Sequence, residues 1–259
     1  MASVAYHSIH HLWDVVQVLV ARDQRSRYRS TLFGMLWAVA SPALFLMTFY
    51  FLFAVALPLN VPNYVPHLFI GLIAWTWFQT SILDSVRAIL GNASLIAQPG
   101  FPSPALPMSI VVSNLLTLLL SLPLLVVILI VNDTAPGWSL LALPVVLAIQ
   151  FALTLAGSYV AAALNVSFRD LQYIAPLILQ VGYFMTPIFY DLAAISERAR
   201  AVLAFNPMVQ VIEAYRAILI QGDWPGVAGL GLTALGSGLA LWLAVRFFRH
   251  ASFDFLEEL

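Results

Sequence analysis

The chain has 259 residues, of which 62% are hydrophobic and only 9% charged, and its formal net charge is −1. A soluble domain carries roughly 25% charged residues, so this surface is too poor in charge to face water, and most of it must face lipid. The charge balance offers no basic field for nucleic acid. The lack of cysteine removes disulfides, thiolate metal sites and cysteine nucleophiles, and the lack of lysine removes any P-loop for nucleotide phosphates, so this chain is not its own ATPase of that kind.

The pattern predicts an all-α integral membrane protein. No cleavable signal peptide is expected, because the first thirty residues hold no clean apolar core ending in a small-residue cleavage site. Residues 10–24 read instead as an amphipathic helix, with Leu12, Val15, Val16, Leu19 and Val20 on one face and Asp14, Gln17, Ala21 and Gln24 on the other. Arg22, Arg25, Arg27 and Arg29 favour a helix in the headgroup plane; packing on the protein's own surface is the alternative.

Six spans follow, near residues 32–57, 68–90, 106–131, 140–164, 171–190 and 227–248. Each is long enough for a hydrocarbon core that needs about 20 apolar residues. Pro42, Pro123, Pro144 and Pro176 lie in or near them, where neighbouring helices can satisfy the freed backbone groups. With the N-terminus inside, eight arginines fall on the cytoplasmic side and three (Arg198, Arg200 and Arg216) outside, which favours cytoplasmic termini. The outer connection, residues 191–226, holds two amphipathic stretches, 195–205 and 209–220, split by Asn206-Pro207. They read as short re-entrant helices or, alternatively, as a surface cap. Gly229, Gly231, Gly236 and Gly238 suggest close helix packing in the last span. The whole chain reads as one membrane domain: an interface helix over 1–30, spans within 31–249 and a cytoplasmic tail over 250–259.

Several segments, in order, resemble one family. Residues 21–37 (ARDQRSRYRSTLFGMLW) followed by Ser41-Pro42 resemble the start of type-2 ABC exporter permeases that export O-antigen, capsule and teichoic-acid polysaccharides. Asn92-Ala93-Ser94-Leu95-Ile96 with Phe101-Pro102 and Leu106-Pro107 is similar to that family's cytoplasmic connection. Phe168-Arg169-Asp170 with Thr186-Pro187-Ile188, Asn206-Pro207-Met208 with Glu213-Ala214-Tyr215-Arg216, and Phe247-Phe248-Arg249 with Phe253 complete the likeness. One departure is Gln98-Pro99-Gly100 and Ser103-Pro104, where the family usually carries charge.

The resemblance implies an inner-membrane permease working as a homodimer with two ATPase subunits. It implies no cofactor in this chain, with ATP and Mg on the partner, and a polyprenyl-linked polysaccharide as cargo. The best ATPase-coupling contacts are then Asn92, Leu95, Ile96, Phe101 and Pro102, in a helix opened by Asn92 that presents an apolar knob; a plain loop is the alternative. Arg27, Arg29, Arg169 and Asp170 are candidate gate or interface charges, or topology anchors, and Glu213 and Arg216 are spaced for a local ion pair. His7, His10 and His11 hint only weakly at a metal, and no metal or catalytic residue is assigned.

Phe33, Trp37, Phe45, Phe49 and Phe53 recur at steps of four, broken by Ser41, and Tyr183 and Phe184 add aromatics in the fifth span. Sugar rings stack their C–H faces on such rings, so Trp37, Phe45, Phe49, Phe53, Tyr183 and Phe184 are the candidate conduit lining. Ordinary lipid-facing and interfacial aromatics are the alternative. Rival functions are an exporter of a drug or other lipid, a membrane-embedded glycan enzyme, which would need clustered carboxylates or histidines, and an ion-coupled transporter, for which only Asp84 approaches mid-membrane.

Overall fold

The computed structural model describes residues 2–28, 36–56, 61–134, 136–253 and 255–258, and among these every regular element is helical. Helix α1 (Ala2–Tyr28) precedes α2 (Leu36–Tyr50), which passes into a π-helical turn at Phe51–Ala56. Then come α3 (Tyr64–Val86), the single turn α4 (Ala93–Ile96), α5 (Ala105–Val131), α6 (Leu143–Ser167) and α7 (Leu171–Met185). Two short helices, α8 (Glu197–Leu203) and α9 (Pro207–Arg216), lead to α10 (Val227–Ala251) and α11 (Phe255–Glu258).

Three helical stretches are long and apolar enough to cross a membrane by themselves: Ala105–Val131, Trp138–Ser167 and Val227–Ala251. A fourth would be α8 with α9 and its π-helical continuation, a pair bent by 103°. Helix α5 runs 27 residues without a charge, within a residue of its expected bounds. Helix α3 is equally regular over 23 residues, but His67, Thr76, Gln79, Thr80 and Asp84 dilute its apolarity. It is the central helix, burying Leu68, Phe69, Ile70 and Trp75 against α5, α6 and α9. Two of the buried polar side chains packed against it find partners, as burial favours. Gln150 Nε2 donates to the Ala74 carbonyl at 2.8 Å, and the Tyr215 hydroxyl donates to Gln150 Oε1 at 2.9 Å.

Three features differ from the sequence reading, and two residues of it go undescribed. Helix α7 stops at Met185, short of residue 190, because Thr186 precedes a proline and takes an extended conformation (ψ 136°). Helix α1 extends beyond residues 10–24, and its apolar face is covered by protein: Val16, Leu19 and Val20 are buried in a cluster with Ile89, Leu106 and Phe248. Packing on the chain itself therefore accounts for that face. Close packing at the glycines of α10 holds at Gly229 alone, where an added Cβ would meet Gln210 Oε1 at 2.9 Å; at Gly231, Gly236 and Gly238 it would meet nothing within 4 Å. Finally, Arg29 and Phe33 lie outside the described residues.

The bend between α8 and α9 is locally encoded. Asn206 accepts from the Met208 backbone N–H at 3.0 Å and Pro207 opens α9, a capping residue followed by a proline at the first helical position. Met208, Val211 and Ile212 of α9 are buried in the core around α3, whereas α8 buries only Leu203. The inner member of the pair is thus core, not cap.

Candidate functional site

Helices α2 and α7 approach α3 from the same side and enclose an open groove of about 350 Å³. Phe45 and Phe49 line it from α2, Tyr183 and Phe184 from α7, and Leu72, Thr76, Gln79 and Thr80 from α3. Phe45 and Phe184 are 60% and 54% exposed, so their faces are available rather than consumed by packing. Phe49 stacks on Phe53 (centroids 6.1 Å, 6° between planes) and on Phe189 (5.9 Å, 1°), while Tyr183 sits edge-on to Phe184 at 5.4 Å. Polar groups stand among the rings: Gln79 Oε1 accepts from Trp75 Nε1 at 2.7 Å, which leaves its Nε2 to donate, and Gln180 stands beside it on α7. Apolar ring faces interleaved with amides and hydroxyls suit a ligand that is a string of rings edged with hydroxyl groups.

The six candidate aromatics separate into two groups. Phe45, Phe49, Tyr183 and Phe184 line the groove and Phe53 supports it by stacking, but Trp37 does not reach it. Trp37 lines an adjoining cavity of about 330 Å³, with Thr76, Thr80 and Asp84 of α3 and Asn114, Thr117 and Ser121 of α5. Ser41, Pro42, Thr76 and Thr80 border both spaces, so the aromatic groove opens directly into a polar one.

The polar cavity in turn meets a third, about 540 Å³, at Arg27 and Asp84, which line both. This third space lies between α1, the end of α3, and the starts of α5 and α7. From Leu72 to Arg87 the three cavities follow α3 for roughly 22 Å at 1.5 Å per residue. Of the polar residues along this rail, only Asp84 stands out in the sequence, and there as a candidate of the rival ion-coupled reading. Their signal is a period: Thr76, Thr80 and Asp84 fall every four residues, and Asn114, Thr117 and Ser121 at matching helical steps.

Arg27 is anchored rather than free. Its Nε meets Asp23 at 2.7 Å, its Nη1 donates to Asn114 Oδ1 at 2.9 Å and its Nη2 meets Asp84 at 3.3 Å. Asn114 Nδ2 also donates to Asp84 at 3.2 Å, and the Ser113 hydroxyl donates to Asp23. Gln24 Nε2 adds bonds to the Ser113 hydroxyl at 2.8 Å and to its carbonyl at 3.0 Å. One guanidinium shared by two carboxylates thereby rivets α1 to α3 and α5. Arg169 and Asp170 are exposed, line none of these cavities and join no ion pair among the described residues. The Glu213–Arg216 pair does form, at 2.7 Å. Among the described residues no group of three or more metal-ligating side chains converges.

The connection after α3 is compact. Asn92 stands before α4 without capping it: its Nδ2 donates to the Ala88 carbonyl at 2.9 Å and its Oδ1 accepts from Arg22 at 3.3 Å. Leu95, Ile96 and Phe101 are half-buried against the core that holds Val16 and Leu19. The exposed crest is instead Ser94, Ala97, Gln98, Pro99 and Gly100, with Gly100 at φ 82° making the turn only glycine adopts easily.

The model of the ABC-2 type transporter family matches residues 14–220, most of the chain and all of the groove. The chain belongs to the ABC-2 type transporter family. This ABC-2 transporter chain is 38% identical over 243 residues to the O-antigen export system permease protein RfbA of Myxococcus xanthus, covering 93% of the chain and 94% of that relative. A protein of the same name from Klebsiella pneumoniae is 32% identical over 249 residues, covering 93% and 96%. The polysialic acid transport protein KpsM of Escherichia coli is more distant, 22% identical over 237 residues and covering 90% and 92%. The alignments take in α2, α3 and α7 together, so the ABC-2 membrane domain includes every wall of the groove.

Proposed function

We propose that this chain is the membrane-spanning subunit of an ATP-driven exporter that moves a lipid-linked polysaccharide, of O-antigen, capsule or teichoic-acid type, across the cytoplasmic membrane. The observation that carries the reading is the groove of Phe45, Phe49, Tyr183 and Phe184 with Gln79 and Gln180, continuous with a polar cavity. Relatives alike over nine-tenths of their length and named for O-antigen export supply the substrate class.

In this reading α2, α3, α5, α6, α7 and α10 are six spans with both termini cytoplasmic, and α8 with α9 is the outer re-entrant pair. Residues 1–259 form one membrane domain. The groove is open on the side of α2 and α7, where Leu44, Met47, Leu177 and Val181 are exposed. A second copy of the chain closes it, giving a homodimer. With no lysine for a P-loop, hydrolysis falls to a separate pair of ATPase subunits that hold ATP and Mg and push on α1 and the segment around α4. Depletion of the chain tests the function. Lipid-linked glycan should accumulate on the cytoplasmic face while its synthesis continues. Normal surface glycan with retention of a drug or another lipid would instead establish the rival exporter reading.

A further inference from the structure

The cavity beneath α1 carries three arginines, Arg22, Arg27 and Arg87, against two carboxylates, Asp23 and Asp84. The pairing is uneven. Arg27 takes both carboxylates, at 2.7 and 3.3 Å. Arg22 is left with a neutral partner, Asn92 Oδ1, at 3.3 Å. Arg87 meets no carboxylate within 4.0 Å among the described residues. Two guanidinium groups with no carboxylate partner among the described residues therefore border one space of about 540 Å³ from different helices, Arg22 from α1 and Arg87 from the end of α3, and the charged groups of the lining leave it with an excess of one positive charge. That volume lies within the range of small-ligand sites, about 300–1,000 Å³.

We infer that this cavity is an anion site that takes a phosphate or diphosphate ester, with Arg22 and Arg87 as its ligands. Guanidinium forks match phosphate oxygens in pairs, and a diphosphate offers oxygens enough for two forks at once. The Asp23–Arg27–Asp84 bridge forms the inner wall: one guanidinium against two carboxylates carries a net charge of −1, which leaves the anion to Arg22 and Arg87, and its Arg27 and Asp84 stand where the cavity meets the polar one behind it. The cavity also reaches Gln172 and Pro176 on α7, a helix whose Tyr173 and Leu177 are widely exposed. An ester at this place can keep its hydrocarbon chain outside, along α7, while its head sits between the arginines. The inference rests on the reading of the chain as an exporter of a lipid-linked glycan and deepens it: the cavity holds the anionic link between glycan and carrier. The same chemistry is offered by a phospholipid headgroup, so the experiment separates the two.

The complex with its ATPase subunits is placed in nanodiscs of phosphatidylcholine and titrated with farnesyl diphosphate, farnesyl phosphate and farnesol. Diphosphate should bind best and farnesol not at all. Replacing both arginines (Arg22→Ala with Arg87→Ala) should weaken diphosphate binding tenfold or more, whereas Arg249→Ala, another cytoplasmic-end arginine, should not change it. Adding phosphatidylglycerol to the discs should compete only weakly. Equal binding of diphosphate and farnesol, or an unchanged affinity in the double variant, overturns the site. Competition by phosphatidylglycerol as strong as by the diphosphate makes the cavity a headgroup anchor and overturns the carrier assignment. A glycan that still accumulates on depletion, beside a failed titration, sinks the site and leaves the exporter reading standing.

Discussion

Arg216 Nη2 donates to the carbonyl of Ile188 at 2.9 Å, from a side chain that is 2% exposed. The same guanidinium donates to the His67 carbonyl at 3.1 Å through Nη2 and at 3.3 Å through Nε, and pairs with Glu213 at 2.7 Å. One residue beyond Ile188 is Phe189, whose ring contacts Phe49, Phe53, Tyr183 and Phe184. A single buried arginine in α9 thus fixes the start of α3 and the strap that carries the hub of the aromatic cluster. Gly71 makes room for it: a Cβ there would lie 3.1 Å from Arg216 Nη2 and 3.2 Å from Ile188 Cα.

Replacing Arg216 with alanine should destabilise the purified complex by about 3 kcal/mol, the low end for breaking a buried pair, because Glu213 is 35% exposed and water can take over its charge. Arg216→Lys should recover part of the stability but not the double contact to His67 and Ile188, since an ammonium has no planar fork. Thermal unfolding of the two variants beside wild type checks the order. Equal melting of Arg216→Ala and wild type would refute the anchoring role.

How much of this was legible beforehand depends on the range of each interaction. The uninterrupted apolar run of α5 and the Asn206-Pro207 break between α8 and α9 are local signals, and both elements appear where the sequence places them. The Arg27–Asp84 contact joins residues 57 apart and cannot be read from periodicity, so the sequence leaves Arg27 as a gate or interface charge with no partner assigned. Asn92 had the composition of a helix cap, but its side chain is claimed by Ala88 and Arg22 instead. The aromatic stripe was visible, yet its four-residue steps did not show that Trp37 and Phe45 would face different cavities. That division follows from where α3 and α5 pack against α2.

The energy source can be tested directly. Purified alone, the chain should hydrolyse no ATP, because it has no lysine with which to build a P-loop. Activity should appear with a co-purifying ATPase subunit and vanish on removal of Mg. Sustained turnover by the isolated chain, free of contaminants, would overturn the subunit assignment.

Topology is accessible because the chain has no native cysteine. Cysteines at Gln98, on the exposed crest beside α4, should react with membrane-impermeant maleimide only after the cytoplasmic face is opened. Cysteines at Asp133, after α5, or Arg198, in α8, should react in intact cells stripped of the outer barrier. Labelling of Gln98→Cys from outside would invert the whole assignment of spans.

Coupling should separate the exposed crest from the half-buried knob. Phe101 is half-buried in the chain's own core, so Phe101→Asp forces a charge among apolar neighbours and should lower stability as well as export. Gln98→Trp alters only the exposed crest. It should leave membrane level and thermal stability at wild-type values while weakening retention of the ATPase subunit. Full retention and normal export by Gln98→Trp would remove the crest from the contact surface.

The groove makes the sharpest demand on single side chains. Phe45 projects an exposed ring into it, while Phe49 shares its faces with Phe53 and Phe189. Leucine keeps most of the apolar bulk that packing needs and lacks the flat face on which a sugar ring stacks. Phe45→Leu should therefore assemble normally, retain basal ATP hydrolysis and lose several-fold in export. Stacking on aromatic faces is worth about 0.5–1.5 kcal/mol beyond area burial for ring pairs, and a sugar passing several rings loses a comparable increment at each. Phe49→Leu should fall further, because it removes a groove ring and two internal stacks together, and its melting temperature should drop with its export. Trp37→Leu should spare the aromatic groove, since Trp37 borders the polar cavity instead. Export measured at matched membrane levels, beside thermal stability, separates these cases. If Phe45→Leu exports as wild type, the exposed ring is a lipid-facing residue, and the conduit must follow the polar rail of Thr76, Thr80, Asn114 and Thr117 without help from the aromatics.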